Sequence, residues 1–278
     1  MRVFVVTAPR SMAEVVSDRL FTLGSPAVEE RVHESDPSAV ELWSTVGDSG
    51  DAERRAGGVL SDLDAVTWRI VAIADDVESA WRQFATATIV DDGLTVVPAW
   101  KVTEPASPGR LTVAIDPGAA FGLGDHPTTQ LTLRTMRAVW NDEPDAPVVL
   151  DVGSGSGVLG IVAARMGARR VVAVDRHAAA VEATGANSAR NGVSDVVEVA
   201  ATPLAEVDGE FDIVLANLLG PILVDLAADL RRVLAPGGVL IVSGILADRH
   251  DHVLAALEPL RVIRSATMGE WAALTLRR

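Results

Sequence analysis

From Val148 onward the chain alternates short, almost continuously apolar segments with longer segments of helical pattern. Four of the apolar segments read "VVLDVG", "RVVAVD", "FDIVLAN" and "VLIVSG". Strands of this kind are buried on both faces, which is typical of a parallel sheet covered by helices on each side. The pattern predicts a doubly wound, Rossmann-like α/β sheet within residues 111–278, closed by two adjacent strands at its carboxyl end. Ligands of such sheets bind beyond the carboxyl ends of the strands.

The first 75 residues follow a different order of elements. Their patterns predict strand, helix, two strands, helix and strand, the order of a small ferredoxin-like α+β domain. This part shows no catalytic constellation, and we expect its single imidazole, His33, to lie at the surface. Residues 76–110 are predicted to be a linker, with a helix in "DDVESAWRQFATA", a hairpin turning at Asp92 and Gly93, and a loop in "VTEPASPGR".

Composition limits the function classes open to the chain. Of 278 residues, 49% are apolar, which excludes a disordered chain, and the net charge of −14 disfavours nucleic acid or an anionic membrane as partner. The absence of cysteine excludes disulfides, thiolate metal sites and thiol catalysis. The N-terminal apolar run is too short for a signal peptide, and no apolar stretch approaches about twenty residues. We therefore expect a cytoplasmic protein.

The stretch "LDVGSGSGVLG" lies at a turn from a strand to a helix. Gly153, Gly155 and Gly157 let the backbone approach a ligand closely, and the helix that follows presents free N–H groups. The last two of these glycines, with Gly160, match the G-x-G-x-x-G pattern of dinucleotide sites. This literal match leaves open a nicotinamide-dependent oxidoreductase, and a glycine turn without any ligand is the purely structural alternative.

Polar residues stand near the ends of three predicted strands. Asp151 precedes the first glycine by two residues, where a carboxylate suits a cationic ligand group, reached directly or through water, better than a pyrophosphate. Asp175 ends the next strand, where its two oxygens can accept both hydroxyls of a ribose. Asn217 ends a third strand, and the simpler role for both Asp175 and Asn217 is to cap a helix. Together these residues predict S-adenosylmethionine, which combines adenosine, a cationic sulfonium and an amino acid tail, as the cofactor.

A second segment, "DPGAAFGLGDHPTTQL", precedes this half of the chain and is too rich in glycine for a strand or a buried helix. Its end predicts a helix start, where Thr128 and Thr129 place hydroxyls beside free N–H groups that can hold the carboxylate of the methionyl tail. Phe121 can press an apolar face on the cofactor or substrate, and Gly122 allows the loop to fold tightly. We expect this segment to form the second wall of the cofactor pocket.

A metal site built from Asp116, Asp125 and His126 is the rival interpretation of the same segment. Carboxylates and imidazoles are suitable ligands, but the loop offers no further ligand at regular spacing. We therefore expect no metal, and we expect His126 to be structural rather than a catalytic base.

Four segments, in this order, resemble the PrmA family of class I S-adenosylmethionine-dependent methyltransferases: "DPGAAFGLGDHPTTQLTL", "LDVGSGSGVLGIVAARMGA", "VVAVDRHAAAVEATGANSARNGV" and "ANLLGPILVDLA". The members of this family methylate ribosomal protein L11. The resemblance is good over residues 116–246. Its first signature is specific to the family, whereas the glycine loop is shared by most class I methyltransferases.

This resemblance implies an N-terminal substrate-recognition domain tethered to a methyltransferase domain, and ribosomal protein L11 as the protein partner. The methylated groups would be lysine side chains and/or the N-terminal amine of that protein. The resemblance also implies cofactor contacts at Thr129, Gly153, Asp175 and Asn217.

Two positions depart from the family pattern, since Leu123 stands where threonine is usual and Asp125 where a neutral or basic residue is common. Both lie near the expected substrate end of the site. The same machinery acting on another protein lysine or on a small-molecule amine is therefore the alternative function. A non-catalytic binding module is a further alternative, against which the intact glycines, Asp175 and Asn217 argue.

Asn217 is the predicted catalytic residue. A lysine amine, with an ordinary pKa of about 10.4, must lose a proton before it attacks a methyl group. No residue stands out as a dedicated general base. We expect the side-chain carbonyl of Asn217, with nearby backbone carbonyls, to accept hydrogen bonds from the neutral amine and to orient its lone pair.

Overall fold

The chain divides into two compact units, Met1–Ala85 and Thr86–Arg278. The computed structural model describes residues 2–22, 28–33, 36–45, 58–63, 65–72, 82, 85–101, 109–118 and 120–278. Most of the predicted linker helix "DDVESAWRQFATA" and of the predicted loop "VTEPASPGR" lies outside the described residues. Within the described ranges, no helix is long and apolar enough to cross a membrane.

The first unit contains a four-stranded antiparallel sheet. Its elements are β1 (Arg2–Pro9), α1 (Ala13–Thr22), β2 (Val28–Val32), β3 (Ala39–Thr45) and β4 (Thr67–Ala72), with helical residues 58–60 between β3 and β4. Alternate residues of β1, among them Phe4 and Val6, share a hydrophobic core with Val16 and Leu20 of α1. The strand order β2-β3-β1-β4 is that of a ferredoxin-like domain, as the sequence predicts.

A small three-stranded sheet opens the second unit. It consists of β5 (Thr88–Asp91), β6 (Leu94–Pro98) and β7 (Leu111–Ile115). β5 and β6 form the predicted hairpin, with Asp92 and Gly93 at its turn, whereas β6 pairs with β7 in parallel. Val90 and Val96 belong to a hydrophobic core that also contains Leu133 and Val149 of the second unit, so the hairpin is part of that unit rather than a free connector.

The remaining strands form one seven-stranded sheet. They are β8 (Val148–Val152), β9 (Arg170–Val174), β10 (Val197–Ala200), β11 (Phe211–Asn217), β12 (Leu234–Leu246), β13 (Arg261–Met268) and β14 (Trp271–Arg277). Their order is β10-β9-β8-β11-β12-β14-β13, and only β14 runs antiparallel to both of its neighbours. The order reverses between β8 and β11, and the crevice beyond the carboxyl ends of these two strands is where such a sheet binds ligands.

Helices cover both faces of this sheet. They are α2 (Pro127–Val139), α3 (Val158–Arg165), α4 (Ala178–Arg190), α5 (Gly220–Arg232) and α6 (Asp251–Leu257). Val149 of β8 belongs to one hydrophobic core together with Leu133 of α2, whereas the next residue, Leu150, belongs to a second core together with Leu223 of α5. Adjacent strand residues thus enter different cores, which confirms the predicted doubly wound sheet with two buried faces.

Candidate functional site

The glycine loop, Gly153–Gly157, connects the end of β8 to the start of α3. Its three glycines have φ values of +71°, +54° and +82°, in the left-handed region that side chains disfavour. The N–H groups of Gly153 and Ser154 both donate to the carbonyl of Val174, at distances of 2.9 and 3.1 Å. The loop therefore turns over the end of β9, and the N-terminus of α3 faces the crevice predicted from the strand order.

The segment Asp116–His126, here called the lid loop, lies directly against the glycine loop. The N–H of Ser156 donates to the carbonyl of Phe121 at 2.8 Å, and the Ser156 hydroxyl donates to the carbonyl of Gly122 at 2.5 Å. A Cβ atom on Gly155 would lie 2.6 Å from that same Phe121 oxygen. The structure thus brings the two predicted walls of the site into backbone contact, and it assigns to Ser156 a joining role that the sequence analysis missed.

Asp175 follows the last residue of β9 and faces the glycine loop. Its Oδ2 accepts a hydrogen bond from the N–H of Gly155 at 3.0 Å, and its Oδ1 accepts one from the N–H of His177 at 2.9 Å. The N-cap of α4 is His177 rather than Asp175, so the carboxylate is not a helix cap in the usual sense. Each oxygen keeps a lone pair for a further donor, as binding to two ribose hydroxyls requires.

Asp151 is fully buried beneath the glycine loop. Its Oδ2 accepts a hydrogen bond from the N–H of Gly160 at 2.9 Å, and its Oδ1 has no hydrogen-bond partner. Burial raises the pKa of this carboxyl from 3.8 to about 7; the Gly160 N–H lowers the pKa, and the charge of Asp175 raises it further. A buried carboxylate of this kind is stabilised by a cationic group brought close to it.

Asn217 is the last residue of β11 and lies at the same edge as the glycine loop. The next residue, Leu218, donates its N–H to the carbonyl of Ser243 at 3.0 Å, and a Cβ on Gly153 would lie 2.4 Å from the Leu218 Cδ2. Helix α5 starts after an N-cap at Leu219 that makes no side-chain cap hydrogen bond, so Asn217 does not cap this helix. Its side chain is partly exposed.

One residue of β12 lies very close to the backbone that follows Asn217, and the sequence does not single this residue out. Gly244 of β12 has a φ of +84°, and a Cβ there would lie 2.4 Å from the carbonyl oxygen of Leu218. A side chain at this position would displace the backbone that follows Asn217. In the sequence, Gly244 is a single glycine near the end of an apolar strand, which by itself signals only a bulge or a close backbone contact.

The N-terminus of α2 supplies the polar end of the lid loop. His126 is the N-cap, and its Nδ1 accepts a hydrogen bond from the N–H of Thr128 at 3.3 Å and lies 2.7 Å from the Thr128 hydroxyl. Thr129 is 1% exposed, and its Oγ1 has no hydrogen-bond partner. Pro127 occupies the first helical position, where proline is favoured. Because Pro127 has no N–H and the Thr128 N–H is bonded to His126, the unpartnered Thr129 hydroxyl is the group that makes this helix start suited to an anion.

Aromatic rings line the exposed side of the lid loop. The His126 ring makes edge contacts with Phe121 and with Trp271, at centroid distances of 5.4 and 5.3 Å. Burial lowers the pKa of His126 although the charge of Asp125 raises it, which favours the neutral ring. Phe121 remains 41% exposed and is available to a ligand. Trp271, at the start of β14, was not predicted to take part, because nothing in the sequence relates it to a loop 145 residues earlier.

The two positions that depart from the family pattern occupy different environments. Leu123 is partly buried and packs against the hydrophobic core of the second unit, whereas Asp125 is exposed. The apolar side chain at position 123 is thus accommodated by the core. Two observations bear on the rival interpretation of this segment as a metal site. The Asp116 Oδ1 accepts a hydrogen bond from the N–H of Gly118 at 3.1 Å. Among the residues that the structure describes, no group of three His, Asp or Glu residues is suited to a metal ion.

Comparison with known proteins identifies the family. The family described as "Ribosomal protein L11 methyltransferase (PrmA)" matches residues 6–278. The chain belongs to this family. A relative of that name from Geotalea daltonii is 37% identical over 298 aligned residues, which cover 96% of this chain and 95% of the relative. Another, from Geobacter metallireducens, is 42% identical over 202 residues, covering 72% of this chain and 65% of that relative.

A solved structure supports the same assignment. The ribosomal protein L11 methylase from Lactobacillus delbrueckii subsp. bulgaricus is 34% identical, with a TM-score of 0.63 over 69% of this chain and 98% of that chain. The family and this structure confirm the class I methyltransferase fold predicted from the strand pattern. They also decide between the two enzyme classes that the glycine pattern left open, in favour of a methyltransferase over a nicotinamide-dependent oxidoreductase.

The contact between the two loops makes a sharp prediction for Gly155→Ala. The new Cβ would overlap the Phe121 carbonyl, so we expect the substitution to separate the loops and to weaken binding of S-adenosylhomocysteine at least tenfold, a loss of about 1.4 kcal/mol. Gly192→Ala is the matched control, because Gly192 also has a positive φ, +67°, but no atom within 4 Å of its Cβ position. Calorimetry on both variants measures the effect; equal affinities would contradict the steric argument.

The buried carboxyl makes a prediction about pH. Because the pKa of Asp151 is raised in the folded chain, the folded state keeps this proton between about pH 4 and pH 7 while the unfolded state loses it. The contribution of Asp151 to stability therefore falls as the pH rises through this window, by up to about 1.4 kcal/mol per pH unit.

Asp151→Asn, which cannot titrate, tests this contribution. Urea unfolding of ligand-free protein should show the variant gaining stability relative to the wild type from pH 5 to pH 8. Parallel pH profiles for the two proteins would show that the carboxyl is charged throughout.

Proposed function

We propose that this chain transfers methyl groups from S-adenosylmethionine to amines of ribosomal protein L11, on lysine side chains and/or the N-terminal amine. One observation carries the proposal: three strand ends and one helix start converge on the glycine loop, in a chain of the L11 methyltransferase family. The chain is an S-adenosylmethionine-dependent methyltransferase by family. The protein substrate, its methylated amines and the role of each site residue are our assignments.

The glycine loop and Asp175 would hold the adenosine part of the cofactor. Gly153, Gly155 and Gly157 have no side chains to block close approach, and the Asp175 carboxylate at the end of β9 would accept the ribose hydroxyls. Phe121 and Gly122, in contact with the glycine loop, would cover the other side. A Cβ atom on any of these three glycines would meet a neighbouring segment within 2.4–2.7 Å, so the turn keeps this shape only with glycine at the three positions.

Two unsatisfied buried atoms support the placement of the charged tail. The Thr129 Oγ1 and the Asp151 Oδ1 have no hydrogen-bond partner, and burial of an unpartnered polar atom costs about 1–3 kcal/mol. Thr128 and Thr129, at the start of α2, would receive the carboxylate of the tail. Asp151 would stabilise the positive end of the cofactor, directly or through water, and such a charge would lower its raised pKa.

S-adenosylmethionine, when bound, supplies a methyl group already activated by a positively charged sulfur. The task left to the chain is to position a neutral amine in line with that group and to exclude water. The side-chain carbonyl of Asn217 would accept a hydrogen bond from the neutral amine and orient its lone pair, the ammonium having lost its proton to solvent before it enters the site. The close contact between Gly244 and the backbone of Leu218 would fix the position of Asn217 at the end of β11.

The exposed rim of the site would receive the substrate. Phe121 offers an apolar face to the methylene stem of a lysine, and Asp125 offers a negative charge to an approaching ammonium group. A ribosomal protein substrate places the reaction in the cytoplasm and requires no direct contact with nucleic acid or membrane. Another protein lysine or a small-molecule amine is the alternative substrate.

Thr129→Val tests the binding of the cofactor tail. The substitution preserves shape and removes only the hydroxyl, so we expect affinity for S-adenosylmethionine to fall about fivefold to tenfold, the effect of losing one hydrogen bond of about 1–1.4 kcal/mol. Thr135→Val is the matched control, since Thr135 is also buried in α2 with an unpartnered Oγ1 but lies six residues further along the helix. Calorimetry would contradict the assignment if Thr129→Val bound as tightly as Thr135→Val.

The substrate is tested by methyl transfer to purified ribosomal protein L11. With labelled S-adenosylmethionine, the wild-type chain should label L11, and mass spectrometry should locate the methyl groups on amines. Asn217→Ala should lower kcat at least about tenfold, a loss of about 1.4 kcal/mol of transition-state stabilisation. A parallel assay on a cell lysate tests the alternative: if the label enters another protein and not L11, that protein is the substrate instead. If Asn217→Ala turns over L11 at the wild-type rate, Asn217 has no catalytic role.

A further inference from the structure

Asn187 of α4 and Asn191, the C-cap of the same helix, stand four residues apart and bind the edge of β7 and the residue that follows it. Asn191 accepts a hydrogen bond from the N–H of Ala114 at 2.9 Å and donates to the carbonyl of Ala114 at 2.8 Å. Asn187 makes the same pair of bonds with Asp116, at 3.0 and 2.9 Å. Each carboxamide thus bonds both the N–H and the C=O of one backbone residue, as a residue of a neighbouring strand would do.

The spacing of helix and strand explains why the pair fits. Four residues along a helix rise about 6 Å, and two residues along a strand span about 6.6 Å. Side chains at positions 187 and 191 can therefore meet residues 116 and 114 in register. β6 pairs with the other edge of β7, so the two asparagines satisfy backbone groups that would otherwise lie at an open sheet edge.

Unlike Asn191, Asn187 also reaches the glycine loop. Its Nδ2 donates a second hydrogen bond to the carbonyl of Ser156 at 2.9 Å, and its Oδ1 also accepts a bond from Arg190. Both donors and both lone pairs of the carboxamide are then occupied, and the residue is fully buried. Asn187 has no capacity left for a ligand, yet it is bonded to the first residue of the lid loop and to the glycine loop.

We propose that Asn187 is a positioning residue: it fixes the spacing between the lid loop and the glycine loop, and thereby sets the affinity for the cofactor without touching it. This inference rests on the proposed function. Ser156 is the shared element, since its carbonyl accepts from Asn187 while its N–H donates to Phe121. The lid loop is therefore tied to the glycine loop at three places, at Asp116 through Asn187, and at Phe121 and Gly122 directly.

Asn187→Asp and Asn191→Asp form a matched pair of variants. Each substitution keeps the shape of the side chain and replaces an N–H₂ donor with an oxygen that faces two backbone carbonyls. We expect both variants to unfold at lower temperature. Asn187→Asp alone should raise the Kd of S-adenosylhomocysteine about tenfold in calorimetry, which corresponds to about 1.4 kcal/mol. Asn191→Asp should change this Kd less than about twofold, within about 0.4 kcal/mol.

Steady-state kinetics give the readout that a merely structural role would not move. Asn187→Asp should raise the KM for S-adenosylmethionine and leave kcat on L11 at saturation close to the wild-type value. If the aspartate variants do not fold, Asn187→Ser and Asn191→Ser make the same comparison without a buried charge. Equal Kd values for the two positions would overturn the inference, and so would a loss confined to kcat. Failure of the wild-type chain to bind S-adenosylhomocysteine would instead refute the proposed function.

Discussion

The hydrogen bond from the Ser156 N–H to the Phe121 carbonyl is the contact on which the site depends, because it joins two segments that are far apart in sequence. This contact exists only because Gly155 has no side chain. The other glycines of the loop face different neighbours: Gly153 faces Leu218 and Gly157 faces Thr184. The glycine pattern is therefore required by the chain segments that pack around this turn and leave no room for side chains, as much as by the approach of a ligand. This explains why the pattern alone could not distinguish cofactors.

Unsatisfied buried atoms acquire meaning here from their position. Thr95, Thr135 and Thr275 also carry buried hydroxyls without partners, and none of them lies at a helix start or beneath the glycine loop. The Thr129 Oγ1 lies at the start of α2, and the Asp151 Oδ1 lies under the turn that faces Asp175. The Thr129 hydroxyl can donate a hydrogen bond to an anion, whereas the Asp151 Oδ1 is an acceptor in a carboxyl whose pKa is raised. The two deficits are complementary in charge to the two ends of a zwitterion.

The strands of the large sheet could be predicted because burial on both faces leaves continuous runs of Val, Ile and Leu. Strand β7 could not, since its parallel pairing with β6 joins residues on either side of a segment of 12 residues and leaves no local period. Asn187 was missed for a related reason: on a polar, alanine-rich helix an asparagine predicts exposure, whereas this one is fully buried against two loops. Local pattern identifies an element, but it does not identify which backbone groups lack a partner until the elements are packed.

Burial also separates what the family assignment settles from what remains specific to this chain. Thr129, Asp151 and Asn187 are buried, so in the proposed site each would have to satisfy both the packing of the fold and the cofactor, and few residue types can do both. Phe121 and Asp125 lie on the exposed rim, where a change of side chain has little effect on stability. If the rim contacts the amine substrate as proposed, selection could act on it without disturbing the cofactor site. In the proposed site, the buried groups would therefore bind the cofactor, whereas the exposed residues, which the fold leaves free to vary, would select the amine.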